Sequence, residues 1–522
     1  MDKKSGVYYH LTDNSLRVGG SSSFGGIFPM YTVKGEVGKL IKVSLRDYRE
    51  KLGFDLDYNP NYYGLDKILS SVANVEVLRC NKNPTVAYTI LNSNGSKADG
   101  EVAYGSVDAV SYGASSGQVW VACSTPGTWG NDIHVCFSHK EIEKPETEEF
   151  ETIYTLHQFT VSGKASSLIG SYDFSLDPDS KIFYEKAFFN GLSLGFKGET
   201  FPTDEAFFVD IASGLPDENM DKYKLFSGSN GSPITSALDV SSIFPAIDKS
   251  SANVVVMNGF IEDPQADKAV IQAIGSYCGK QDRSVLFDAP VIVDAHGILR
   301  ANEDLFDWAK SLLNKDTGQY AQVAARPDVV KIDSQDILVQ PSVFLFQIYA
   351  NMFANYGHIN FPPAGNSYGS VMANSLLDSD FYLYGDELKT NRVNYLTDTS
   401  RGVCMWEYRT LYNQGESDLS YANTPFILRD LKGRLMSFME NFTFRYSTPM
   451  DLLNIQSGLD SILGYFVQNF FLVNYTLHVP SFEEAQAAGR ELDIDISVAV
   501  INSADVITLR VTLQNAANLR AA

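Results

Sequence analysis

Two short apolar runs, ANVVVMNG at 252–259 and SVLFDAPVIV at 284–293, flank the stretch DPQADKAVIQAIGSYC. Each run is apolar without alternation, as in a strand covered on both sides, and the stretch between them has the spacing of a helix. Parallel neighbours need a crossover of about a dozen residues or more, and a helix of this length supplies one. A strand–helix–strand unit with a parallel sheet is therefore expected in the middle of the chain.

At 522 residues the chain exceeds a single hydrophobic core, so two to four domains are expected. Residues 1–26 are small and polar and end in GGSSSFGG, an extended arm on a flexible hinge. Residues 27–84 carry the β-like KLIKVSL, a helix over Leu65–Ser71 and the buried-strand run NVEVLRC. From 85 to 245 short alternating strands are separated by Gly, Asn, Ser and Asp clusters, with an acidic loop in KEIEKPETEEFE, which predicts a β-rich domain. The α/β segment occupies 246–357.

The last part, 358–522, is the most regular. Leu428, Leu431, Leu435, Phe438 and Phe442 fall at steps of three and four on one helix face. A second helix comes next, with Thr448 suited to the N-cap, Pro449 to the first position and Asp451 to the third, ahead of Leu452, Ile455, Leu459, Ile462, Phe466 and Phe470. Two runs of period two, Leu492 to Val500 and Ile507 to Leu513, predict a hairpin turning at NSAD. A strand so near the chain end leaves an edge that can accept or supply a strand.

The formal charge of −22 argues against a nucleic-acid binder, which needs a cationic face to release phosphate counterions. Its bland reading is solubility at high local concentration. MDKKSGVYYHLTDN lacks the apolar core of a signal peptide. GYFVQNFFLV, broken by Gln468 and Asn469, falls short of the run of about 20 residues that crosses a bilayer. The reading is a soluble protein, kept in a cytoplasm, without membrane insertion. Five cysteines, Cys80, Cys123, Cys136, Cys278 and Cys404, show no CxxC spacing. Cys123 and Cys136 are placed to meet across the loop between them, but free thiols in a reducing compartment are favoured.

No catalytic constellation emerges, and no cofactor is expected. DLDYNPNYYGLD sets Asp55, Asp57, Asn59, Asn61 and Asp66 at the oxygen positions of a calcium loop. Pro60 stands where that loop turns on a glycine, and Asp66 replaces its bidentate Glu, so a polar turn is the favoured reading. Asp493 and Asp495, two apart on a strand, share a solvent face. The seven histidines, His134 among them, form no HxH or HExxH pair. GGSSSFGG and SGSNGSP lack the spacing and the Lys of a phosphate loop. A calcium-dependent β-rich surface adhesin and an acidic hydrolase are the rival readings from other classes. In TPGTWGNDIHV, Pro126, Gly127, Gly130 and Asn131 shape a tight turn, and Trp129 is expected to anchor it by packing over its own sheet.

Taken in order, several segments resemble the tail sheath proteins of contractile bacteriophages. GGIFPMYTVKGEVGKLIKVSLRDYREKLG is similar to the family's opening segment, and KILSSVANVEVLRC looks like its helix and strand, ending near Arg79. PGTWGNDIHV resembles the family's PGxWGN turn, the most specific of these motifs. SVLFDAPV, with Asp288, Ala289 and Pro290, looks like its ILDAP strand end, and FPPAGNSYG like its proline-rich approach to the C-terminal domain. NRVNYLTDTSRGVCMWEYRTLY, with Asn394, Gly402, Trp406, Arg409 and Thr410, is similar to the Asn-to-Thr segment of that domain, and YANTPFILRDLKGRL resembles its first helix. Glu407 and Tyr408 depart from the small residues usual in the family, and FRYSTPMD replaces the usual FEPN.

The resemblance implies an α+β multidomain fold. An inner α/β domain would be built from residues 27–84 and 358–522, with β-rich (85–245) and α/β (246–357) outer domains inserted between them. It implies a non-enzymatic subunit of a virion tail, assembled in the host cytoplasm as hexameric rings in a helical sleeve. Its partners would be copies of itself, the tail tube protein, and baseplate and tail terminator proteins. Terminal extensions link such subunits by adding strands to neighbours; here these would be Val7, Tyr9 and Leu11 in the arm, and Ile507, Leu509, Val511 and Leu513 at the end. The sheath of a bacterial contractile injection system is the close alternative.

Overall fold

The computed structural model describes residues 24–98, 118–143, 150–162, 165–196, 201–216, 220–261, 263–264, 267–332, 335–413, 417–445, 448–489 and 491–501. The N-terminal segment supplies β1 (Gly26–Met30), β2 (Leu40–Val43) and β3 (Val75–Arg79). The chain then leaves on an excursion through β4 (Tyr88–Leu91), β5 (Val119–Cys123), β6 (Ile133–Glu143), β7 (Phe150–Ser162), β8 (Ala165–Phe174) and β9 (Leu192–Phe196). It returns as β10 (Val254–Val256), β11 (Ser284–Asp288) and β12 (Ala321–Ala325), and continues into a hairpin of β13 (Asp328–Ile332) and β14 (Gln335–Val339). β15 (Val393–Thr399), β16 (Gly402–Trp406), β17 (Leu472–His478) and β18 (Asp495–Val500) complete the series.

Eight of these strands form one sheet in the order β16-β15-β12-β11-β10-β1-β3-β2. The six inner strands are parallel, and antiparallel β2 and β16 close its ends. The expected strand–helix–strand unit is present, since β10 and β11 are parallel and joined through the Lys268–Gly279 helix. Side chains of a parallel strand alternate between two covered faces, so each face needs its own apolar layer. Val255, Val285 and Phe287 enter the layer that holds Ile271 and Ile274 of the Lys268–Gly279 helix and Trp308 of the Glu303–Ser311 helix. Val254, Val256 and Leu286 enter the opposite layer, with Phe344 and Phe346 of the Pro341–Tyr356 helix. Both phenylalanines are fully buried, and each stabilises the fold by about 1.5–3 kcal/mol.

This sheet corrects one expected boundary. Residues 246–357 are not a separate domain, because β10, β11 and β12 lie in the middle of the sheet that also holds β1–β3 and β15–β16. Cutting there would strip the cover from both faces of a buried sheet. The excursion does have its own core: β4-β5-β9 and β6-β7-β8 share an apolar cluster that includes Val121, Val135, Phe137, Leu156 and Phe174.

The C-terminal unit pairs the Asn423–Met439 and Pro449–Gln468 helices through Ile427, Leu431 and Leu435 against Ile455, Leu459 and Leu463. The Thr448 hydroxyl caps the second helix by accepting from Asp451 N at 3.1 Å, with Pro449 in its first turn. Phe470 departs from the expected buried face: the helix ends at Gln468, and Phe470 sits at φ 58° with 74% of its surface exposed. The helix predicted over Leu65–Ser71 spans Tyr62–Leu69 instead, drawn forward by Tyr62, which is fully buried and donates its hydroxyl to Leu52 O at 2.9 Å. β18 pairs antiparallel with β17, while the second run of the predicted hairpin, Ile507 to Leu513, lies outside the described residues, as do Val7, Tyr9 and Leu11. Among the described residues no helix is long and apolar enough to cross a membrane.

Candidate functional site

The Pro126–Asn131 turn sits at the joint between the excursion and the large sheet. Two segments connect the bodies, and they pair with one another as a ribbon: Lys82 bridges Ser232, Thr85 bridges Ser229 and Tyr88 bridges Phe226. Arg79, at the end of β3 and fully buried, reaches across with one nitrogen, Nη1, donating to Gly35 O and to Pro126 O, both at 2.6 Å. Its Nε donates to Asn81 Oδ1 at 3.0 Å, and Asn81 Oδ1 in turn accepts from Thr32 N at 3.0 Å. The end of β1 ties the same joint, since the Tyr31 hydroxyl accepts from Ile234 N at 2.8 Å.

Each residue of the turn has a distinct duty. Gly127 lies at φ 141°, where a Cβ would overlap Val33 O, so no other residue fits without displacing the chain. A Cβ on Gly130 would overlap the Cys123 sulfur. The Asn131 amide mimics a strand, donating to Gly228 O and accepting from Gly228 N, each at 2.9 Å. Asn230 Oδ1 accepts from Thr128 N at 2.9 Å. Trp129 packs against the excursion core, and Lys34, in the loop between β1 and β2, lies 4.3 Å above its ring, so the indole is shared by both bodies. The sequence marked the turn and showed Arg79 only as the end of its strand, without its acceptors, and it missed Asn81 and Asn230; an arginine closing a largely buried strand was the available signal.

Asp288 ends β11 beneath the Pro341–Tyr356 helix and is buried. One of its oxygens accepts from Ser342 N at 2.8 Å, and the other from Gly259 N and the Ser342 hydroxyl, both at 2.9 Å. Burial pushes this carboxyl up to about 6, against the pull of those donors. Pro290 is buried just beyond it. Asn394, fully buried in β15, donates to Val323 O and Arg409 O, both at 2.9 Å, and its Oδ1 accepts from Arg409 N. The Arg409 guanidinium stacks 4.0 Å over Tyr421. Trp406 closes β16 opposite Tyr395 and is 43% exposed, so it anchors no core. Asp288, Asn394 and Arg409 thus each join separate segments of the fold.

Four of the five residues of the calcium reading are engaged separately. Asp55 Oδ1 caps its own turn by accepting from Asp57 N and Tyr58 N, and Asp66 Oδ1 accepts from the Tyr48 hydroxyl at 2.6 Å. Asn59 turns inward to donate to Tyr31 O at 2.7 Å, and Asn61 donates to Gly259 O at 3.0 Å. The candidate ligands therefore face different neighbours, and among the described residues no His/Cys/Asp/Glu cluster could hold a metal ion. Asp493 and Asp495 do face solvent together, and all five cysteines are buried free thiols, Cys123 and Cys136 included. Burial raises both thiols to about 12, which disfavours the reactive thiolate.

At the other end of the molecule β17 and β18 form a sheet of two strands. Leu477, Ile496 and Val498 pack on the helix pair, whereas Val473, Thr476, Asp495 and Ser497 face outward. Among the described residues no third strand covers either edge. Two strands alone are marginal in water, and open edges are templates for more.

No protein-family model matches the sequence, and no curated protein matches it. Solved structures do match the fold. The sheath tail protein of Desulfitobacterium hafniense aligns with a TM-score of 0.54 at 12% identity, over 95% of this chain and 100% of that one. This chain has the sheath tail protein fold. The sheath tail protein of Listeria innocua shares it with a TM-score of 0.53 at 10% identity, over 93% of this chain and 96% of that one. The helical sheath of the anti-feeding prophage in its contracted state gives 0.49 at 11% identity, over 98% and 100% of the two chains.

Two measurements test the joint and the buried carboxyl of this sheath fold. Arg79→Leu removes the donor to two buried carbonyls and should cost roughly 2–5 kcal/mol in denaturant unfolding, with early protease cleavage between 80 and 84. An unchanged midpoint would refute the clamp. A carboxyl whose pKa rises on folding stabilises the fold below its unfolded value, near 4, and that contribution is lost as pH rises through about 6. Wild type should therefore lose up to about 3 kcal/mol relative to Asp288→Asn between about pH 4 and about pH 7, in paired urea titrations. A difference independent of pH would exclude that assignment.

Proposed function

We propose that this chain is the structural subunit of a contractile phage tail sheath. It polymerises around the tail tube and, on triggering, contracts to drive the tube through the host envelope for genome delivery. The observation that carries this reading is the open two-stranded sheet, β17–β18, on a chain whose fold matches a sheath tail protein over 95% of its length. Two structures that align with TM-scores above 0.5, those from Desulfitobacterium hafniense and Listeria innocua, are named as sheath tail proteins, which supports a tail over an injection machine.

Linkage by strand addition fits this geometry. The arm before the glycine hinge, with Val7, Tyr9 and Leu11, and the terminal run with Ile507, Leu509, Val511 and Leu513 have the alternation that extends a sheet edge. β17 and β18 offer such edges, and the last described residue, Ile501, leaves directly beside them, its N donating to Phe471 O at 3.2 Å. Copies linked in this way form hexameric rings in a helical sleeve. Backbone hydrogen bonds keep neighbours joined while Gly19 and Gly20 absorb rotation; the hinge expected to run to residue 26 stops short of Gly25 and Gly26, which are tied to β10 in the large sheet. Free energy stored at assembly, and not catalysis, drives the shortening. Tail tube, baseplate and terminator proteins are the remaining partners, and the particle assembles in the host cytoplasm.

Removing residues 1–20 should leave a chain with native circular dichroism that forms no long sleeves in negative stain; long sleeves from the truncated chain would refute the linking role of the arm. Val511→Pro, which removes one ladder donor, should likewise impair assembly without altering the melting temperature. Normal sleeves from that variant would exclude strand donation by the terminal run.

A further inference from the structure

The inner face of the Pro449–Gln468 helix is accounted for by the buried Leu452, Ile455, Leu459, Leu463 and Phe466. Its outer face, about 30 Å long at about 1.5 Å per residue, is not built for water. From 453 to 470 every exposed residue is uncharged, including Leu453, Gln456, Ser461, Tyr465 and Phe470. The two carboxylates of the helix are engaged: Asp451 accepts from the Thr448 hydroxyl at 2.6 Å, and Asp460 from the Tyr475 hydroxyl at 3.2 Å. Other surface helices differ, since Glu303–Ser311 exposes Glu303, Asp304 and Asp307, and Phe482–Ala488 exposes Glu483 and Glu484.

Three further features lie on or beside this helix. Gly458 is demanded by the fold, because a Cβ there would overlap the Phe438 ring; at Gly464 a Cβ would meet nothing within 4 Å. A glycine inside a helix destabilises it, so Gly464 is a cost with no return inside the subunit. Phe444 and Phe470, near opposite ends of the helix, hold positive φ of 65° and 58° with 88% and 74% of their surfaces exposed. Bulky side chains held in that region and turned to solvent mark functional surfaces. Met450 and Val473, 67% and 61% exposed, extend the apolar ends.

We infer that this helix face is a contact between copies of the chain in the assembled sleeve, an inference that rests on the sheath function proposed above. Charge selects the occupant. Copies carrying −22 each repel wherever acidic surfaces come within a Debye length, about 8 Å at physiological salt, so self-contacts belong where acids are missing. The buried centre of a protein interface is depleted in charge, as this face is, and enriched in aromatics and Met, which Tyr465 and Phe470 at one end and Phe444 and Met450 at the other supply on either side of exposed Ser, Asn and Gln. A basic partner would select exposed acids on the face, and an anionic lipid surface would select unpaired Lys or Arg; the face exposes neither from 453 to 470, and Arg434, which lies 4.8 Å over the Tyr465 ring, is paired with Asp430 at 2.9 Å. Gly464 then provides room for the backbone of the neighbouring copy to approach.

Gly464→Arg tests this cleanly, because the subunit has open space at that position and arginine favours a helix over glycine. The full-length variant should melt at or above the wild-type temperature, yet purified alone, with no other tail component present, it should remain a single subunit in sedimentation and negative stain under conditions where wild type forms sleeves. Sleeves from the variant at wild-type abundance would overturn this contact and leave the sheath function standing; a wild-type chain that never assembles would overturn both. A photo-crosslinking residue in place of Ser461, in sleeves mixed from isotopically heavy and light chains, should join heavy to light. Crosslinks confined within one copy, or none, would overturn the inference.

Discussion

Double burial of the parallel sheet governs this molecule. Six parallel strands drawn from residues 26–399 can be stable only with helices on both faces, so distant segments must converge before any of them is shielded from water. The Pro341–Tyr356 helix shows how strict this is, with Pro341 to Tyr349 buried without a break. Asp288 belongs to the same constraint. It brings a carboxylate into the apolar interior because the first turn of that helix would otherwise leave the Ser342 N–H without a partner. Everything else in the chain is inserted into, or appended to, this layer.

The strand order reverses between β1 and β10, the place where doubly wound sheets open a crevice at the carboxyl ends of their strands. Here the polar turn at 55–61 fills it. Asn59 reaches the carbonyl at the end of β1, Asn61 reaches Gly259 beyond β10, and Asn258 returns a bond to Asn61 O at 3.0 Å. A crevice that serves ligands in other proteins is closed here by side-chain amides. The same fact explains why the stretch imitates a calcium loop: its oxygens and amides are spaced to satisfy backbone groups of two neighbouring strands.

Much of this was legible in the sequence because it depends on local period. The apolar runs of β10 and β11, the cap at Thr448 with Pro449 and Asp451, and the alternation along β18 are each set by neighbours within a few residues. The turn around Trp129 was legible for the same reason. The extent of the large sheet was not, since nothing local to Val254 shows that Gly26 lies beside it. Arg79 was visible only as the end of a strand, because its acceptors, Gly35 and Pro126, are fixed by the whole fold. Phe470 misled for the opposite reason: it keeps the helical spacing, but the helix has already ended.

The paired connection at 82–88 and 226–232 has a mechanical meaning. A domain hung on one strand swivels, whereas one hung on two strands laced together resists bending and twisting alike. With Arg79 bonded to Pro126 O beneath the lacing and Lys34 over the Trp129 ring, the excursion is tied to the large sheet by side chains as well as by its two strands. A turning force on the large sheet would reach the excursion through several ties at once and not through a single strand.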